Sequence, residues 1–242
     1  MRKEPFTVGD YIHIYNRGNR KMPIVYDEAD RWRFTKSLRF LNEELGVEAL
    51  FKKLNTFPKA AFGKRAKRVF DFRFPISWPD HKPVVKILCF FLAPNHFHLL
   101  LKEIQKGGIT KFMEKIGTGF TNYINLRYKE TGRLFQGPYK GRTVNRMQYL
   151  QYLNVYIQVL NPFEVYPGGL KKAVEEFDKA FEFAVNYQFG SLPDFLGKRN
   201  LGIIEKDIFE GMFPDVKSYK EFAYDCLIGK NLRKILGKLI ID

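Results

Sequence analysis

Two cysteines in 242 residues cannot form a disulfide framework or a cysteine zinc site. They lie far apart, and Cys89 sits in an apolar run where a buried free thiol is expected. No stretch approaches the roughly 20 apolar residues of a membrane span, and residues 1–10 are polar where a signal peptide would be apolar. The expected location is therefore the cytoplasm, without a membrane partner. Acidic residues are also scarce in the first two-thirds: residues 1–162 hold 29 Lys+Arg against 13 Asp+Glu, a net of +16, whereas residues 163–242 hold 12 against 13. A surface this basic attracts a phosphate backbone and releases counterions on binding, which makes nucleic acid the leading partner class. The 24 Phe and 13 Tyr suit core packing and base stacking equally.

The apolar pattern alternates between strand and helix. Residues 11–15 read as a first strand, and Asn16-Arg17-Gly18-Asn19-Arg20 has the chemistry of a turn. Residues 27–44 follow as a helix. Residues 53–82 lose the pattern and carry the basic cluster Lys64, Arg65, Lys67 and Arg68, which reads as an insertion and more simply as a solvated loop than a specific contact. The run 84–92, a Pro94-Asn95 turn and 96–101 make a buried hairpin. Residues 110–127 have helical spacing, 133–142 form an irregular basic and aromatic loop, and Asn145 with Gln148 is a capping-box signature for a helix carrying Tyr156 and ending at Pro162. Residues 163–242 read as a helical appendage, with helices at 170–187, 204–213 and 219–240 and a loop at 190–202.

His96 and His98 stand at i and i+2 on a strand, so their side chains share one face and can reach one ion. Neutral imidazole suits divalent transition metals and tolerates magnesium when oxygen ligands complete the shell. The pair interrupts an otherwise apolar hairpin and holds two of only four histidines. By itself such a pair is more often a packing feature, and the stripe of Tyr149, Leu153, Tyr156 and Leu160 is more often core than catalytic.

Three segments nevertheless carry a resemblance. Tyr15-Asn16-Arg17-Gly18-Asn19, Pro94-Asn95-His96-Phe97-His98-Leu99-Leu100, and Arg133-Leu134-Phe135-Gln136-Gly137 with Tyr156-Ile157 and Asn161-Pro162 together resemble the single-tyrosine HUH transposases, most nearly the REP-associated tyrosine transposase group. The resemblance spans about residues 8–165. It implies an α+β fold with a ferredoxin-like palm, an antiparallel sheet with packed helices, over a catalytic domain at 1–162 followed by the helical appendage. It further implies a Mg2+ or Mn2+ cofactor on His96 and His98, Tyr156 as the nucleophile forming a 5′-phosphotyrosine, and single-stranded DNA, in hairpin form, as the partner. Monomer and homodimer both occur among such proteins. His13 matches a position of the family to which no role is assigned, and a packed strand histidine is its simplest reading.

One departure from the family pattern has a structural consequence. The family places an Asn or Gln four residues after the tyrosine as a third metal ligand, one turn along the same face. Here that position is Leu160, and Asn161 comes fifth, about 140° around a regular helix. An extra residue of this kind is absorbed as a π-bulge. The spacing predicts a widened helix near 158–160 that returns Asn161 to the metal.

Asn16, Arg17 and Arg20 after the first strand, and Arg133, Gln136, Tyr139, Lys140 and Arg142 before the tyrosine helix, are the expected DNA contacts, edging one groove. The competing readings are a non-catalytic DNA-hairpin-binding protein and a nuclease that activates water.

Overall fold

The computed structural model describes residues 6–44 and 82–229. Among them, β1 (Tyr11–Arg17), α1 (Glu28–Phe40), β2 (Val85–Leu92), β3 (His96–Glu103), α2 (Gly108–Tyr128) and β4 (Lys140–Thr143) follow one another in a β-α-β-β-α-β order. The strands form one antiparallel sheet in the order β2-β3-β1-β4. This is the α+β, ferredoxin-like arrangement.

Strand alternation sends the two halves of β1 and β3 into different cores. Ile12, Ile14, Phe97, Leu99 and Leu101 face α1 and α2, where Phe34, Leu38, Phe112, Ile116 and Phe120 close over them. Each such side chain stabilises the fold by roughly 1.5–3 kcal/mol through burial. Asp27 caps α1 by accepting from the Asp30 amide, and the buried Asp30 carboxylate accepts from Arg127, Tyr123 and Tyr128 of α2. The two helices are thereby tied together.

The opposite face of the sheet is covered by the helix that carries Tyr156 and by the segments after it. α3 (Met147–Val155) runs into a π-turn (Tyr156–Leu160) and a last helical turn (Asn161–Glu164). Beyond it lie α4 (Gly169–Glu175), α5 (Phe177–Asn186), α6 (Leu192–Phe195) and α7 (Val216–Tyr224). Leu88, Cys89, Phe91 and Leu100 of the sheet share a second core with Leu153, Ile157 and Phe163 and with Phe177, Phe181, Phe195 and Tyr219. A bulge between Ile87 and Cys89 lets Leu88 join Cys89 in that core.

Several elements differ from the sequence expectation. β4 was hidden in the loop read at 133–142, because Lys-Gly-Arg-Thr has no apolar alternation and is placed at the sheet edge by its backbone pairing with β1. The capping box does not form. Arg146 occupies the N-cap without a side-chain bond, and Gln148 donates to the Tyr152 hydroxyl instead. The helix read at 170–187 is broken at Glu176, whose backbone leaves the helical region, and of 204–213 only a single turn at Asp207–Phe209 is helical. The short α6 falls in the segment read as loop at 190–202. The basic insertion lies outside the described residues apart from Lys82, as does the end of the helix read at 219–240. No described helix is long and apolar enough to cross a membrane.

Candidate active site

Pairing within the sheet fixes which side chains share the second face. Tyr15 stands opposite His98 on one side and Lys140 on the other, His13 opposite Leu100 and Arg142, and Arg17 opposite His96. Directly paired residues point the same way, so a single surface carries His13, Tyr15, Arg17, His96, His98, Lys140 and Arg142. The Lys140 ammonium lies 6.0 Å from the centre of the Tyr15 ring. The overlooked edge strand thus supplies two cations beside the histidines.

Tyr156 lies over this surface. Its ring meets His98 edge-on with centroids 5.4 Å apart and His13 at 6.1 Å, and His96 and His98 are 5.2 Å apart and perpendicular. Tyr156 is only 3% exposed and His98 1%. Burial, reinforced by the Arg17 guanidinium, pushes the His96 imidazole down to about 4, and burial followed by His13, His96 and Arg17 holds His98 well below its ordinary value. Both rings are therefore neutral at physiological pH, the form in which imidazole binds metal.

Each imidazole is also anchored through the same nitrogen. His96 Nδ1 is 2.8 Å from Asn95 Oδ1, and His98 Nδ1 is 2.9 Å from His13 Nε2. In each case Nε2 is the nitrogen left to act as a ligand. Among the described residues no three His, Cys, Asp or Glu side chains group as a metal ligand set. A cation here would thus need an additional donor of another kind, such as an amide.

The helix is widened where the spacing predicted. Residues 156–160 form a π-turn, and the Asn161 amide bonds back to the Tyr156 carbonyl, five residues earlier. The extra residue is absorbed in one turn and Asn161 returns to the phase of Tyr156. The Asn161 side chain is fully buried, and neither its oxygen nor its nitrogen has a hydrogen-bond partner among the described residues. A buried amide left unmatched costs about 1–3 kcal/mol.

Sequence reasoning missed the network that holds this turn. Asn154 Oδ1 accepts from Tyr219 Oη at 2.7 Å and from Gln158 Nε2 at 2.9 Å. Gln158 Oε1 accepts from Ser191 Oγ at 2.7 Å, which in turn accepts from the Phe90 amide at 2.9 Å. Residues of α3, the π-turn, β2 and the following segment are joined in one buried chain. Its members are scattered over 130 positions and share no sequence pattern.

The three resembling segments meet in space. Gly18 N donates to Asn95 O, Asn19 N to Leu134 O and Gln136 N to Arg17 O. Gly18 is obligatory in this turn, because a β-carbon there would run into the Met22 carbonyl. Asn95 donates to the Lys21 carbonyl while its oxygen meets His96, so the turn after β1 helps hold the histidine.

The sheet divides several of the expected DNA contacts between its two faces. Arg17, Lys140 and Arg142 belong to the histidine face. Asn16, Arg133 and Tyr139 line an open cavity of about 610 Å³ against α2, together with Thr118 and Thr121. Asn16 is 5% exposed and spends its amide on the Gly137 carbonyl and the Arg17 amide, so it fastens the 133–137 segment. Arg20 is exposed in the turn after β1 with a left-handed backbone, and Gln136 is exposed in the 133–137 segment. Alternation along β1 is the reason Asn16 and Arg17 part company.

No protein-family model matches the chain, and no curated protein matches it. Among solved structures it is similar to that of a REP-associated tyrosine transposase bound to a REP hairpin, at 12% identity over 83% of this chain and 86% of that chain, with a TM-score of 0.45.

Proposed function

We propose that this protein cuts and rejoins single-stranded DNA at hairpin-forming sequences, with Tyr156 as nucleophile. The observation that carries the reading is the edge-on approach of the Tyr156 ring to His98, 5.4 Å between centroids, above a pair of neutral histidines anchored through Nδ1. The residues fit a divalent cation: two Nε2 donors on one strand face and a buried amide, Asn161, without a hydrogen-bond partner among the described residues. His96, His98 and Asn161 would hold Mg2+ or Mn2+, which when bound offsets the charge that builds on the scissile phosphate.

In the reaction the Tyr156 hydroxyl oxygen forms a bond to phosphorus as the bond from phosphorus to the 3′ oxygen breaks. The DNA 5′ end becomes a phosphotyrosine, the released strand takes up a proton as a 3′-hydroxyl, and Tyr156 gives one up. One phosphoester replaces another, so the step reverses on a second 3′-hydroxyl without ATP. Arg17, Lys140 and Arg142 draw the phosphates to this face, and aromatic side chains stack on unpaired bases.

A second reading, a DNA-hairpin-binding protein without cleavage, is favoured by the 3% exposure of Tyr156, which leaves little of the residue open to a DNA strand. Incubating the protein with a labelled hairpin bearing single-stranded flanks and Mn2+ separates the possibilities. A denaturation-resistant protein–DNA adduct that disappears in Tyr156→Phe supports the nucleophile. Cleavage that persists in Tyr156→Phe assigns the attack to water, and binding without cleavage by the unaltered protein assigns the non-catalytic role.

A further inference from the structure

We infer that His13 is a positioning residue that fixes the tautomer of His98 and thereby leaves His98 Nε2 free to ligate a divalent cation; this rests on the metal-dependent reading above. The two rings are 0% and 1% exposed, nearly parallel at 18°, and joined by a 2.9 Å contact between His13 Nε2 and His98 Nδ1. Exactly one of those nitrogens carries the shared proton when both rings are neutral. If His98 Nδ1 carries it, His98 donates to the lone pair of His13 and keeps its own lone pair on Nε2. If His13 Nε2 carries it, His98 must hold its proton on Nε2 and cannot use that nitrogen as a ligand. Only the first arrangement matches His96, whose Nδ1 meets the side-chain oxygen Oδ1 of Asn95 and whose Nε2 is the nitrogen left over.

The position follows from the strand register. His13 lies on β1 opposite Leu100, one pair along from Tyr15 and His98 on the same face, so its ring reaches diagonally to His98. Metal-bound histidines depend on such a partner for ring orientation and ligand basicity, and losing it costs about 10–100-fold in affinity.

The test compares Mn2+ binding to the DNA-free protein, followed by electron paramagnetic resonance, in the unaltered chain, His13→Phe and His13→Gln. Phe fills the space of the buried ring but can neither donate nor accept a hydrogen bond. Gln can place an oxygen near the site of Nε2. The expected result is a dissociation constant raised about 10–100-fold in His13→Phe and largely restored in His13→Gln. A side chain that served only packing would give the reverse order. Nitrogen-15 NMR of the unaltered, metal-free protein supplies a readout that needs no variant: His98 protonated on Nδ1 is expected, and protonation on Nε2 overturns the inference. Equal Mn2+ affinity in His13→Phe overturns it as well while leaving the metal reading standing. Failure of the unaltered protein to bind Mn2+ overturns both.

Discussion

Replacing Gln158 by Leu and Tyr219 by Phe, singly and together, should destabilise the protein by more than the two effects added. Tyr219→Phe removes one donor from Asn154 Oδ1, which keeps its 2.9 Å bond from Gln158, so the loss is about 1 kcal/mol. Gln158→Leu removes the other donor and takes away the acceptor of the Ser191 hydroxyl proton, for about 1–3 kcal/mol, while Tyr219 still donates to Asn154 Oδ1. The double replacement leaves Asn154 Oδ1 with neither donor inside a residue that is 0% exposed. That orphaned acceptor adds about 1–3 kcal/mol of coupling. In a chain of this size each kcal/mol moves the melting temperature by about 2–4 °C, so a coupling of about 2 kcal/mol appears as roughly 4–8 °C beyond additivity. Calorimetry or urea unfolding of the four proteins measures it. Effects that add within about 0.5 kcal/mol would refute the shared-acceptor account.

Other consequences are open to equally direct measurement. Asn161→Ala should lower the melting temperature little, because the amide it deletes has no hydrogen-bond partner among the described residues, yet weaken Mn2+ binding; a large thermal loss would mean that the amide is bonded after all. His96 and His98 are less basic in the folded chain than in the unfolded one, so acidification protonates the unfolded state first. Their contribution to stability is full above about pH 6.5 and is lost as the pH falls, that of His96 progressively toward about pH 4 and that of His98 in the same direction, and unfolding measured on acidification below about pH 6.5 should show it. Replacing Lys140 and Arg142 together by Ala should reduce the slope of log affinity for single-stranded DNA against log salt by about 1.4, with no change expected if the histidine face does not track phosphates.

The sheet and its first core were legible in the sequence because β1, β2 and β3 are apolar runs with clear period and α1 and α2 carry stripes. The His96–His98 face was legible for the same reason, and the widened turn followed from the displacement of Asn161 by one position. What escaped was anything set by backbone pairing or by partners distant in the chain. β4 has four residues of no hydrophobic pattern, and its place depends on the amides and carbonyls of β1. The union of His13 with His98 spans 85 positions, and that of Gln158 with Tyr219 spans 61. Such meetings are products of register and packing, which no local window contains. The Asn145 capping signature failed because the extended chain of β4 and Val144, whose amide bonds to the Tyr11 carbonyl, delays the start of α3 to Met147.

The π-turn also bears on how such a site can be recognised and altered. It confines the effect of one additional residue to 156–160, so that α3 before it and the turn 161–164 after it keep their rotational phase. Distance counted along the chain and distance in the candidate site are thus uncoupled at this point. A search written as tyrosine, three residues and amide would pass over this chain, whereas one written on helical phase would accept both spacings. For the engineer, the same turn is a place where chain length can change without re-aiming the residues on either side.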